Sequence, residues 1–133
     1  MVLVVLLVLA LFFLQTLLPN RFREPAPSGA RDTLAESLGP RDHQRPLTVV
    51  GGRAERALAN LQEGLPVFLA LALMNMIAAP GAGLAVTGAW VFFVARVIYV
   101  GLYLGGVPVV RTICWVAGLV GLGMMVAPLL DKI

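Results

Sequence analysis

Apolar side chains fall into four long runs along this chain, separated by short polar breaks and one extended polar segment. The first run, Met1–Leu18, has no charged side chain and stops at Pro19-Asn20. As a helix it reaches about 27 Å, close to the roughly 30 Å of a bilayer's hydrocarbon core. It lacks a basic leader, and the small pair Ala26 and Ser28 lies well past the apolar stretch. It is therefore read as a retained first helix rather than a cleaved signal. The pattern predicts a second helix from Arg53, after Gly51-Gly52, to Ala79, where Pro80-Gly81 ends it. Its opening turns are polar and project from the apolar slab, and Pro66 removes one backbone hydrogen bond, which predicts a kink near the membrane boundary. A third helix is expected over Leu84–Leu104. A fourth covers 108–130, its apolar run being Val109–Leu130 and Pro108 suiting the first turn.

Residues 19–52 are rich in proline, glycine and charge, with no sustained period, which predicts an irregular loop with a short helical turn around Thr33–Leu38. There is no internal repeat. Gly101 with Gly105, and Ala117 with Gly121, have the small-xxx-small spacing that lets helices approach closely in lipid, although Gly105 also reads as the end of helix three. The expected fold is a single domain: an all-α membrane protein, built as a four-transmembrane-helix bundle.

Composition sharpens this picture. Of the 133 residues 59% are hydrophobic and only 13% charged, against about 25% charged in soluble domains. So much apolar surface does not fit inside one small water-soluble core, and lipid must solvate the rest. The net charge of +3 does not point to nucleic acid, because the basic residues crowd into one region that also carries Glu24, Asp32, Glu36, Asp42 and Glu55. Arg21, Arg23, Arg31, Arg41, Arg45, Arg53, Arg56 and Arg111 lie on one side of the predicted membrane and only Lys132 on the other. The positive-inside rule then places the long loop in the cytoplasm and both termini outside. One cysteine, Cys114, excludes an intramolecular disulfide, and no His, Cys or carboxylate cluster offers a metal site. His43, alone in the loop, reads as a solvated side chain. Asn75 points away from Glu63 and is expected to form a helix–helix hydrogen bond, while Trp90, Trp115 and Met124-Met125 read as membrane aromatics and packing.

The candidate chemistry sits on a few polar positions. At 100° per residue Arg56, Asn60 and Glu63 fall within about 60° of one another, with Arg53 extending the stripe. Arg96, Tyr99 and Tyr103 form a similar stripe on helix three. An unpaired guanidinium in hydrocarbon costs at least about 2.5 kcal/mol, so Arg96 needs a partner or a wet cavity, and Glu63 is the acid at a matching depth. With Arg111 opening helix four, these groups are expected to converge on a cavity at the loop side. Such a cavity suits a small ligand with several carboxylates, with lipid alongside as a route for an apolar second substrate. A structural alternative is that the arginines are interfacial anchors, Arg96 and Glu63 a structural ion pair, and the tyrosines an interfacial belt.

The stretch RALANLQEGLPVFLALAL (Arg56–Leu73), followed by RVIYVGLYLGGVPVVR (Arg96–Arg111), resembles the membrane-associated proteins in eicosanoid and glutathione metabolism, the MAPEG family, and their bacterial members in particular. Arg56, Asn60 and Glu63 meet the family's Arg-x-x-x-Asn-x-x-Glu pattern, and Arg96, Tyr99 and Tyr103 its Arg-x-x-Tyr-x-x-x-Tyr pattern. The likeness covers most of the chain from Leu47 onward and, by topology, helix one. It implies a homotrimer in the bacterial inner membrane with glutathione as co-substrate between subunits, and no metal. In enzymatic members an arginine early in helix four stabilises the glutathione thiolate, which makes Arg111 the candidate catalytic residue. Arg53 and Arg56 would then pair with the peptide's carboxylates, Glu63 would hold its amine, and Arg96, Asn60, Tyr99 and Tyr103 would complete the binding set. The long loop departs from the compact one of several family enzymes.

The implied activity is glutathione transfer to, or peroxide reduction of, a lipophilic substrate. The alternative is a non-catalytic lipid-binding or scaffold protein of the same family, which has no need of Arg111. A four-helix multidrug exporter would want a carboxylate inside helix one for proton coupling, and Met1–Leu18 has none.

Overall fold

The computed structural model describes residues 1–25, 45–106 and 108–132. Four helices account for nearly all of them: α1 (Val2–Arg21), α2 (Val49–Ala78), α3 (Gly83–Gly105) and α4 (Pro108–Leu130). All four are long and apolar enough to cross a membrane. The chain is thus a multi-pass integral membrane protein with a four-helix architecture. Large apolar side chains such as Leu3, Phe13, Ile77 and Ile113 point outward, an arrangement that lipid rewards and water penalises. His43 and the turn expected around Thr33–Leu38 lie outside the described residues.

Two boundaries differ from expectation. Helix α1 continues past Leu18 and carries Pro19 in its last turn, where the amide of Phe22 closes on the Pro19 carbonyl at 3.1 Å. Helix α2 begins at Val49 rather than Arg53, so Gly51 and Gly52 are helical. Gly51 serves close packing here rather than punctuation. A Cβ on it would lie 2.5 Å from the Phe22 carbonyl oxygen. Thr48 caps α2, its Oγ1 accepting from the Gly51 amide at 3.1 Å and donating to the Phe22 carbonyl at 2.8 Å. Beside it Arg23 and Leu47 form an isolated antiparallel bridge. The polar segment therefore leaves and re-enters the bundle at one point, pinning the end of α1 to the start of α2.

α3 and α4 pack together most extensively, α1 lies along α2, and α1 also touches α3. The core is built from Val4, Val8, Leu61, Phe68, Phe92 and Met125, with the Phe68 and Phe92 rings stacked at 4.7 Å. Asn75 supplies the helix–helix bond expected of it: its Nδ2 donates to the Met125 carbonyl at 2.8 Å and to Leu71 at 2.9 Å. Gln15 on α1 is also turned inward and buried.

The closest approach of α3 and α4 uses Gly121 and Gly88. A Cβ on Gly121 would lie 2.7 Å from the Gly88 carbonyl oxygen and 2.8 Å from the Phe92 amide nitrogen. Both obstacles are backbone, so no side chain can yield. Gly101 and Gly105, by contrast, face open space in this chain. Gly121→Ala is accordingly expected to destabilise the bundle by about 2 kcal/mol through overpacking. Gly123→Ala, two residues on and facing open space, should be neutral or stabilising by up to about 1 kcal/mol. Thermal midpoints of the two variants in detergent check the contrast.

Candidate functional site

The site residues gather at the end of the bundle where the long segment attaches. Arg96, midway along α3, is 3% exposed. Enclosing an arginine this far is costly unless protein meets its charge and hydrogen bonds, and here its Nε is buried without a partner among the described residues. Its Nη1 donates to Asn60 Oδ1 on α2. Its guanidinium carbon lies 5.0 Å from the centre of the Phe92 ring and 5.8 Å from that of Tyr99. Space for it comes from two glycines: a Cβ on Gly64 of α2, or on Gly118 of α4, would each lie 3.4 Å from its Nη2. One guanidinium thus ties three helices together.

The sequence pattern pairs Arg96 with Glu63, but the structure gives it Asn60. Depth matches in both cases, and direction decides: Asn60 faces α3 across the seam, whereas Glu63 is exposed on the flank of α2, within electrostatic reach of Arg96.

The other predicted residues form a layer next to this clasp. Tyr99 is buried and Tyr103 half-buried, their rings 5.4 Å apart. The Arg111 guanidinium lies 4.6 Å from the Tyr103 ring centre and that of Arg56 lies 5.9 Å from it, so the phenol ring is flanked by two cations. Arg53 turns elsewhere. It packs on Gly106, which adopts a left-handed conformation (φ 75°) at the end of α3, and its Nη1 donates to the Leu104 carbonyl at 3.2 Å. A cation on the last carbonyls of a helix is favourable for its dipole, so Arg53 caps α3.

An open cleft of about 270 Å³ is lined by Asn60, Tyr99, Arg111, Thr112 and Trp115. Of the predicted set it takes in Asn60, Tyr99 and Arg111. Tyr103 stands against Arg111, Arg96 lies buried behind Asn60, Arg56 is exposed beside Tyr103, and Arg53 and Glu63 are set apart. Thr112, not named from sequence, and Trp115, read there as an ordinary membrane aromatic, also line the cleft. Their signal was present, since Trp115 is one turn above Arg111 on the same face of α4. Gly64 and Gly118 carry no such signal, because only the packed structure shows what fills the space they leave.

Chemically the cleft offers a guanidinium, a carboxamide, hydroxyls and an indole N–H, groups that favour an anionic or acceptor-rich ligand. Among the described residues no group of three or more His, Cys, Asp or Glu gathers to hold a metal ion. Cys114 is a free thiol on a different flank of α4, lining a wholly apolar groove of about 400 Å³ with Trp90, Val94 and Ile98.

Removing the Asn60 acceptor leaves a buried cation short of a hydrogen bond. Asn60→Ala is expected to destabilise the bundle by about 2 kcal/mol or more. Glu63→Gln on the exposed flank should leave the thermal midpoint unchanged. The reverse ranking would mean that Glu63, not Asn60, holds Arg96.

Comparison with known proteins agrees with this layout. No curated protein and no solved structure matches the chain. The sequence model of the MAPEG family matches residues 1–130, nearly the whole length. With four helices able to cross a membrane and a family match over nearly the whole chain, the protein belongs to the MAPEG family.

Proposed function

We propose that this protein binds glutathione at the cleft beside Arg111 and uses it as co-substrate in a transferase or peroxidase reaction on lipophilic electrophiles. The observation that carries this reading is the layer in which Asn60, Tyr99 and Arg111 line one open cleft while Arg56 and Arg111 flank Tyr103. Family membership supports a role in glutathione or eicosanoid metabolism.

Glutathione has a thiol that is mostly protonated at neutral pH, with a pKa near about 8.5, and the thiolate is the nucleophile. A guanidinium beside the sulfur favours the thiolate. Lowering that pKa by about two units corresponds to roughly 2.7 kcal/mol. Arg111 has this role. Arg56 is exposed and takes a peptide carboxylate, Arg53 stays on the end of α3 as its cap, and Glu63 holds the ammonium of the ligand. Tyr99 and Tyr103 donate from the α3 side. The thiolate then attacks an electrophilic atom of the second substrate: a carbon–sulfur bond forms, and the leaving group departs with its electron pair. Arg56 and Glu63 face outward from a single chain, which suits a site completed by a neighbouring copy in a homotrimer. The positive-inside rule assigns the arginine-rich side to the cytoplasm and both termini to the outside, and the resemblance to bacterial members of the family assigns the protein to a bacterial inner membrane.

A second reading is non-catalytic lipid binding, favoured by the apolar groove between α3 and α4, with about 400 Å³ and no polar lining surface. Arg111 separates the two. In the enzyme reading Arg111→Ala lowers kcat/KM for an electrophile such as 1-chloro-2,4-dinitrobenzene by about 100-fold, while Arg56→Ala chiefly weakens glutathione binding in a calorimetric titration. Unchanged turnover in Arg111→Ala would remove its assigned role. No heat and no thermal stabilisation with millimolar glutathione would leave only the lipid-binding reading.

A further inference from the structure

The wall of the cleft has a chemical bias that originates one residue behind it. Arginine carries donors only. The end of the Asn60 carboxamide that meets Arg96 is therefore its oxygen, which leaves the NH₂ end for the opposite direction. Asn60 is half-buried and lines the cleft, so that direction leads into it. Around the same space Arg111 and the Trp115 indole also donate only, and the Tyr99 and Thr112 hydroxyls can do either. With the Asn60 oxygen engaged, no group left in the wall is obliged to accept. Were the carboxamide reversed, an oxygen would face the ligand and repel a thiolate or carboxylate.

We propose that Arg96 is a positioning residue that, by holding the Asn60 oxygen, turns the carboxamide donors into the cleft and so selects an acceptor-only, anionic group of the ligand. This rests on the glutathione reading and deepens it: the group is the thiolate or a carboxylate of the bound peptide. Arg96 is 3% exposed and works through Asn60 without touching the ligand. The cation lies over the Phe92 ring at 5.0 Å and is edged by Gly64 and Gly118. That geometry holds the Nη1 donor on Asn60, away from the cleft itself. The arrangement also explains why an amide, rather than a carboxylate, stands opposite a buried cation: a carboxylate would pair more strongly with Arg96 but would line the cleft with negative charge.

The test separates fold from ligand. In Asn60→Asp the shape and the pairing with Arg96 persist while the donors are lost. Calorimetric titration of the full chain in detergent with glutathione, alongside its thermal midpoint, should show the midpoint held or raised and affinity reduced by at least about tenfold. Affinity within twofold of the unsubstituted protein overturns the proposal. Should Asn60→Asp not fold, Arg96→Lys and Arg96→Gln take its place. Lysine is again donor-only and keeps Asn60 turned, so it should retain far more affinity than glutamine, which lets Asn60 face either way. Equal affinities for the two would overturn the orienting role. No heat from the unsubstituted protein would sink the glutathione reading itself, and this inference with it, a result plainly different from heat that survives in Asn60→Asp.

Discussion

A positive charge enclosed within a bundle of apolar helices constrains this molecule more than any other single feature. Arg96 cannot be solvated by lipid, so protein has to surround it on every side. Asn60 accepts one of its protons, Phe92 offers a ring face, and glycines on α2 and α4 leave it room. The contacts come from three helices: Asn60 and Gly64 on α2, Phe92 on α3 itself and Gly118 on α4. Satisfying the guanidinium therefore fixes the depth and rotation of α2 and α4 relative to α3, and with them the positions of Tyr99, Tyr103 and Arg111. The cleft inherits its geometry from this clasp.

The rest of the bundle is held by close approach rather than by a large side-chain core. In lipid there is little hydrophobic gain from pressing one helix on another, and small residues at the seams gain van der Waals contact instead. Buried Ala54, Ala57, Ala72, Ala85, Ala89 and Ala95, with the Gly88–Gly121 crossing, follow that rule. Polar bonds are spent at helix ends: Thr48 joins α2 to the end of α1, and Arg53 closes the last carbonyls of α3. These end contacts make the arginine-rich end of the bundle its most polar and most cross-linked part. A binding site there is walled by helix ends tied to one another.

Such walls suit the chemistry proposed for the family member. Donors gather where an anionic sulfur and carboxylates would lie, and an apolar groove runs on the other flank of the α3–α4 seam. The two cavities lie on different faces of α4, so the apolar groove is distinct from the donor-lined cleft.

Four long apolar runs and scarce charge determined, from the sequence alone, that this is a four-helix membrane protein, and the motifs on helices two and three carried its resemblance to the MAPEG family. These properties are local or additive: hydropathy sums along a run, and 100° per residue puts Arg56 beside Asn60 whatever else is nearby. The start of α2 was less legible. Gly51-Gly52 looks like punctuation until the Phe22 carbonyl is seen pressed against Gly51. Only the tertiary structure decided that Arg96 meets Asn60 instead of Glu63, that Arg53 caps α3, and that Thr112 and Trp115 share the cleft. Each depends on the rotation of one helix against another, a quantity set by close packing across the seams and written in no single segment.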